Sequence, residues 1–225
     1  MDEENGPAAF RDAAAFVRAH TAVRAVPLVP EVRLHTGGEV VDLWESTERN
    51  AGGAGEELPP PFWAFPWAGG QALARHVLDH PGLVAGRRVF DLASGSGLVA
   101  VAAALAGAAE VVANDVDPLA VVAVALNAEV NGVSIVVEPG DVLDTDPEAD
   151  VVLAGDVFYD RWMAARVLPF LRRAAVRGAL VLVGDPQRAH LPREGLRRVA
   201  EHVVPVPATL ESAETRTTTV WSLAR

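Results

Sequence analysis

Four acidic positions follow apolar runs in this chain, and their spacing suggests a ligand site. Asp91 closes the run RVFDL and opens Asp91-Leu-Ala-Ser-Gly95-Ser-Gly97. Asp115 stands at the tip of the next apolar run, Asp141 follows Pro139-Gly140, and Asp156 begins Asp156-Val-Phe-Tyr159. Glycines after a strand let the backbone approach a ligand closely. Gly95, Gly97 and Ala100 also satisfy a dinucleotide-type G-x-G-x-x-A pattern, but a pyrophosphate over that turn would face Asp91, with no Arg between Asp91 and Pro118 to offset it. A cationic, ribose-bearing ligand suits the acids better. In S-adenosylmethionine the ammonium would meet Asp91, the ribose hydroxyls would meet Asp115, and the adenine amino group would meet Asp141.

Asp156 and Tyr159 follow a later strand and are expected to face the same crevice, because ligands in open α/β sheets bind beyond the carboxyl ends of the strands. They could orient an amine that accepts a methyl group, with Phe62, Trp63, Phe65 and Trp67 offering aromatic faces to its cation. In the alternative reading Asp156 only caps the following helix and Phe158 only fills core. Trp67-Ala68-Gly69-Gly70, just before a helix, could close over the methionine end of the cofactor.

Placing these residues requires a βαβ series. Strands are predicted over 88–92, 110–114, 133–137, 150–154 and 179–183, and helices over 71–79, 98–108, 118–130, 161–176 and 193–202. VVPV and TTTVWSL form an antiparallel pair at the end of an otherwise parallel sheet. Upstream, residues 7–20 read as a helix. VRLH and EVVDLW read as two strands turning at Gly37-Gly38, and 46–58 as a loop. The organisation is therefore a helix and hairpin cap over 1–58 and a Rossmann-like domain over 59–225.

Composition narrows the function. The chain has 225 residues, 50% of them hydrophobic, which is enough for a sizeable core. Its formal net charge of −11 leaves no basic footprint for nucleic acid. It contains neither Lys nor Cys, which excludes Schiff bases, disulfides and thiolate chemistry. Six His are scattered, and only His76 and His80 share a helical face, so no metal site is predicted. The longest uncharged apolar stretch, 98–109, is about a dozen residues against the roughly 20 of a membrane span. With no secretory signal in MDEENG, a cytoplasmic location is expected.

PPPFWAFPWAGGQALARHVLD, DLASGSG, ANDVDP, LAGDVFYD, VGDPQR and TTTVW, in this order and spacing, resemble the electron-transfer flavoprotein beta-subunit lysine methyltransferases. These are a branch of the seven-strand class I methyltransferases, and the likeness covers about residues 59–225. It implies an S-adenosylmethionine-dependent protein lysine N-methyltransferase whose substrate is the flavoprotein beta subunit. It also implies cofactor contacts at Trp67, Gly69, Asp91, Gly95, Gly97, Asp115 and Asp141, and a D-x-x-Y motif, Asp156 to Tyr159, beside the acceptor. Ala93 stands where this branch commonly has Gly, and Ala68 where Pro is common. Methylation of a ribosomal protein or of a small amine, and a non-catalytic cofactor-binding scaffold, are the competing readings.

Overall fold

In a computed structural model the described residues are 12–50, 60–206 and 214–223. A seven-stranded sheet organises the chain. Its strands are β3 (Arg88–Leu92), β4 (Glu110–Asp115), β5 (Val136–Pro139), β6 (Val151–Gly155), β7 (Leu180–Asp185), β8 (Leu196–Pro205) and β9 (Thr215–Leu223), in the order β5-β4-β3-β6-β7-β9-β8. The first five are parallel, while β9 runs antiparallel to both β7 and β8. β3 pairs with β4 on one side and β6 on the other, so the chain reverses direction of travel across the sheet at β3. A crevice at the carboxyl ends follows from that reversal.

The central strands are apolar on both faces because both are covered. Helices α3 (Ala68–Asp79) and α4 (Leu98–Leu105) lie on one side, where Leu73, Val77, Val99 and Val101 pack with Val89, Val151 and Leu153. Helix α6 (Arg161–Val176) covers the other, with Phe170 and Leu171 against Phe90 and Val152. Helix α5 (Pro118–Asn131) is started by the Asp117 carboxylate, which accepts from Leu119 N–H, and ended by left-handed Gly132. Phe16, Trp63, Leu119 and Ala123 form a third apolar cluster that ties the N-terminal segment to α5.

Two expectations are corrected. The hairpin does not turn at Gly37-Gly38. It joins β1 (Ala22–Val26) to β2 (Val29–Thr36) through Pro27-Leu28, and Val40–Asn50 is a helix, α2. The run around Leu43 is short and apolar, a pattern that suits strand or helix equally. The partner of β2 comes from upstream, and Leu43 and Thr47 fall on one buried helical face, four residues apart. Likewise 193–202 is not a helix, because Leu196–Pro205 pairs with β9 along its length. Its Arg197, Arg198 and Glu201 leave a charged outer strand, which discourages edge-to-edge pairing. The predicted helix over 7–20 begins at Ala13 within the described residues, and most of the predicted 46–58 loop lies outside them.

Candidate active site

At the reversal point, beyond the ends of β3, β4 and β6, lies a cavity of about 670 Å³. Two sets of residues shape it. The first is the turn after β3. Ala93, Gly95 and Gly97 all adopt left-handed backbone, with φ of 52°, 54° and 76°. Glycine takes this conformation freely, whereas at Ala93 the Cβ costs about 1–2 kcal/mol. Gly97 caps α4, whose first turn returns Ala100 N–H to the Asp91 carboxylate at 3.0 Å. Gly95 N–H donates to Asp115 Oδ2 at 2.8 Å and Asp117 N–H to Asp115 Oδ1 at 3.0 Å. Asn114 Nδ2 reaches the carbonyls of Glu138 and Gly140, stitching the ends of β4 and β5 together.

Burial dominates the electrostatics here. Asp91 is 1% exposed, and desolvation pushes its carboxyl up to about 8 despite the Ala100 N–H. Asp115 is raised for the same reason, with its backbone hydrogen bonds opposing. Asp141, at the rim, is the opposite case. Arg166 binds its carboxylate through both guanidinium nitrogens, Leu143 N–H donates to it at 3.0 Å, and its carboxyl is held below the ordinary range, chiefly by Arg166.

The second set converges from three segments. α3 starts against the ends of β6 and β7 at very short range. A Cβ on Gly69 would lie 2.3 Å from the Gly184 carbonyl oxygen and 2.5 Å from Asp156 Oδ2, and one on Gly184 would lie 2.1 Å from the Gly69 oxygen. Asp156 sits above this crossing in left-handed backbone, φ 56°. Its Oδ2 accepts Gly70 N–H at 2.9 Å and its Oδ1 accepts from Arg188 at 3.1 Å. Burial raises this carboxyl, and the Arg188 charge pulls it back. Arg188 in turn lies over the Trp67 ring at 6.0 Å. Tyr159 packs on Phe62, with ring centres 5.4 Å apart, and Trp162, 78% exposed, flanks the mouth.

Trp67, Asp91, Gly95, Asp115, Asp141, Asp156 and Tyr159 therefore line one cavity. Gly69 and Gly97 do not. Gly69 is buried in the backbone crossing and Gly70 takes the cavity wall, while Gly97 packs toward Val124, 3.2 Å from where its Cβ would stand. Sequence reasoning missed Arg188, Arg166 and Trp162, all of which line the cavity. Arg188 follows the end of β7, so the strand-end rule that selected Asp156 would have selected it too. Among the described residues no group of three or more acids or His is placed to hold a metal ion, and no helix is long and apolar enough to cross a membrane.

The ribosomal protein L11 methyltransferase (PrmA) family profile matches residues 73–157, the stretch holding the glycine turn and Asp156. The fold resembles magnesium protoporphyrin IX methyltransferase from Synechocystis PCC 6803, with a TM-score of 0.51 and 15% identity over 69% of this chain and 78% of that one. The electron transfer flavoprotein beta subunit lysine methyltransferase of Xenopus laevis is 38% identical over 218 residues, covering 92% of this chain and 85% of that protein. The mouse protein of the same name is 35% identical over 208 residues, covering 86% and 77%. A chain with this fold, this cavity and relatives at that identity over most of both lengths is a methyltransferase and belongs to the electron transfer flavoprotein beta subunit lysine methyltransferase family.

Proposed function

We propose that this enzyme transfers a methyl group from S-adenosylmethionine to a lysine of the electron-transfer flavoprotein beta subunit. The observation that carries the donor assignment is Asp91, a buried carboxyl on the cavity wall with one backbone N–H as its hydrogen-bond partner. A cation placed against it repays the desolvation that burial imposes. An anionic pyrophosphate would find the cavity's two guanidiniums already paired, Arg166 with Asp141 and Asp144, Arg188 with Asp156. The residues therefore fit the methyl donor: Asp91 holds its ammonium, Asp115 its ribose hydroxyls, and the rim near Asp141 its adenine.

When bound, the donor supplies a sulfonium methyl that a neutral amine takes in line, the C–S bond breaking toward sulfur. The chain's own work is positioning and exclusion of water. Tyr159, Phe62 and Trp67 form an aromatic wall for the lysine stem. Asp156 is fixed by Gly70 N–H and Arg188, so it orients the amine and does not take its proton; the proton leaves through the mouth to water. That mouth is aromatic, with Tyr159 46% and Trp162 78% exposed, which suits a side chain presented by a folded partner better than a fully enclosed small amine.

The test is incubation of purified electron-transfer flavoprotein with the enzyme and methyl-labelled donor, followed by peptide mass spectrometry. Methyl groups on beta-subunit lysines, absent when those lysines are changed to Arg, are expected. Label appearing only on a ribosomal protein or on nicotinamide would overturn the acceptor and leave the donor site standing.

A further inference from the structure

Among the described residues, Asp156 and Arg188 form an ion pair on the acceptor side that lines the cavity and is largely buried, their side chains being 11% and 24% exposed. The pair is braced at both ends. Asp185 Oδ1 accepts the main-chain N–H of Arg188 at 2.7 Å, and the Arg188 guanidinium rests over Trp67. Asp156 gives its other oxygen to Gly70 and holds an unfavourable left-handed conformation to do so. A brace of this kind keeps a full positive charge beside the residue best placed to meet an incoming amine. We propose that Arg188 is a positioning residue of the acceptor pocket: by cancelling the charge of Asp156 it presents the substrate lysine with a neutral wall, so that the amine arrives in its unprotonated, nucleophilic form.

The proposal rests on the lysine-methylation reading above. Its physical basis is the sign of the alternatives. Free lysine is protonated at neutral pH, with a pKa near 10.4. Without Arg188 the buried Asp156 carboxyl loses the cation that holds it down, and an incoming ammonium becomes the cation that ionises it; that pairing raises the lysine value by about 1–3 units, removing the lone pair the reaction needs. With Arg188 in place the carboxylate's pull is offset, and burial of the amine in an aromatic pocket favours its neutral form. The other ionisable groups around the pair do not replace Arg188. Asp185 lies behind it at the end of β7, its carboxyl raised to about 6 by burial. Tyr159 and Asp160 follow β6, and Asp91 and Asp115 stand at the ends of β3 and β4. All of these are acids, and the cavity's other guanidinium, Arg166, is held at the rim by Asp141 and Asp144, so among the described residues Arg188 supplies the positive charge beside Asp156.

The test is the pH dependence of kcat/KM for methylation of the flavoprotein beta subunit by wild type, Arg188→Gln and Arg188→Lys, each first shown to melt cooperatively. In Arg188→Gln the acidic limb of the profile moves to higher pH by about one unit or more. In Arg188→Lys the charge is retained and the limb stays near the wild-type position while kcat falls with the lost fork geometry. A limb unmoved in Arg188→Gln overturns the proposal. So does a limb displaced in folded Arg188→Lys, which tests the idea even if the Gln variant fails to fold. Absence of methyl transfer by wild type would overturn the acceptor reading and this proposal together, whereas wild-type turnover with an unmoved limb overturns this proposal alone.

Discussion

The two halves of the cavity are built by opposite means. On the donor half, a nearly contiguous stretch from Asp91 to Asp117 folds on itself, and its acids are fixed by backbone N–H groups of Gly95, Ala100 and Asp117. On the acceptor half, the segments around Gly69, Asp156 and Arg188 come from distant parts of the chain, and side chains and backbone contact hold them. The glycines differ accordingly. Gly95 is needed for its conformation, since a Cβ there would meet only Trp63 Cα at 3.9 Å, whereas Gly69 and Gly184 are needed for space. Gly95 is thus conformationally demanding with room to spare, while Gly69 and Gly184 take ordinary φ and have no room.

The largest effect expected from that contrast is on stability. Gly184→Ala places a methyl 2.1 Å from a main-chain oxygen, with no flexible side chain to yield. A loss of about 3 kcal/mol or more is expected, the upper end for overpacking. Gly95→Ala carries only the left-handed penalty of about 1–2 kcal/mol. Urea denaturation of the two variants decides it, and equal losses would break the distinction between space and conformation.

The next effect separates the halves by charge. Asp91→Asn should weaken donor binding by about 1.5–3 kcal/mol, the range for a hydrogen bond to a charged group, and calorimetry measures it. Asp156→Asn should keep most of the donor affinity while losing turnover. Stability should move the other way for Asp91→Asn. The folded carboxyl keeps its proton up to about 8, against 3.8 when unexposed to the fold's burial, so folding takes up a proton between these values. The wild-type contribution is full below the lower value and is lost as pH rises through the upper one. Asn does not ionise, so the melting temperature of Asp91→Asn should gain on wild type progressively from acid pH to about 8. A gap independent of pH would show that Asp91 is not desolvated as its position requires.

What could be read from the sequence follows the same division. DLASGSG, ANDVDP and the strands ahead of them report their structure locally, because apolar runs, left-handed glycines and helix caps are short-range features. The acids at 91, 115, 141 and 156 were placed by one rule about strand ends, and all four line the cavity. The roles of Gly69 and Gly184 could not be read this way, since which glycine fills and which merely turns depends on an approach between α3 and β7. The stretch 193–202 reads as a helix for a related reason: its residues tolerate one, and the partner strand β9 makes most of them a strand continuous with the expected VVPV strand. Val40–Asn50 shows the converse, an apolar run left without a strand partner.

The smallest effect expected is at the rim, where a side-chain pair belongs to the donor half and could blur the comparison. Arg166 grips Asp141 and also reaches Asp144 at 2.9 Å, in a cluster whose members are 45–91% exposed at the side chain. Exposed pairs of this kind are screened by solvent and salt and hold little energy. Asp141 keeps the Leu143 N–H at 3.0 Å whether or not Arg166 is present, so its carboxylate stays aimed by the backbone, as Asp91 and Asp115 are. Arg166→Ala should therefore change donor affinity by less than about threefold. Any change should be toward tighter binding at low salt, because a carboxylate released from a guanidinium is a better acceptor for the adenine amino group. Titration calorimetry at low and high salt measures both points. A tenfold loss would mean that the donor half leans on a side-chain brace just as Asp156 leans on Arg188, and the line between a backbone-built half and a side-chain-built half would have to be redrawn around Arg166.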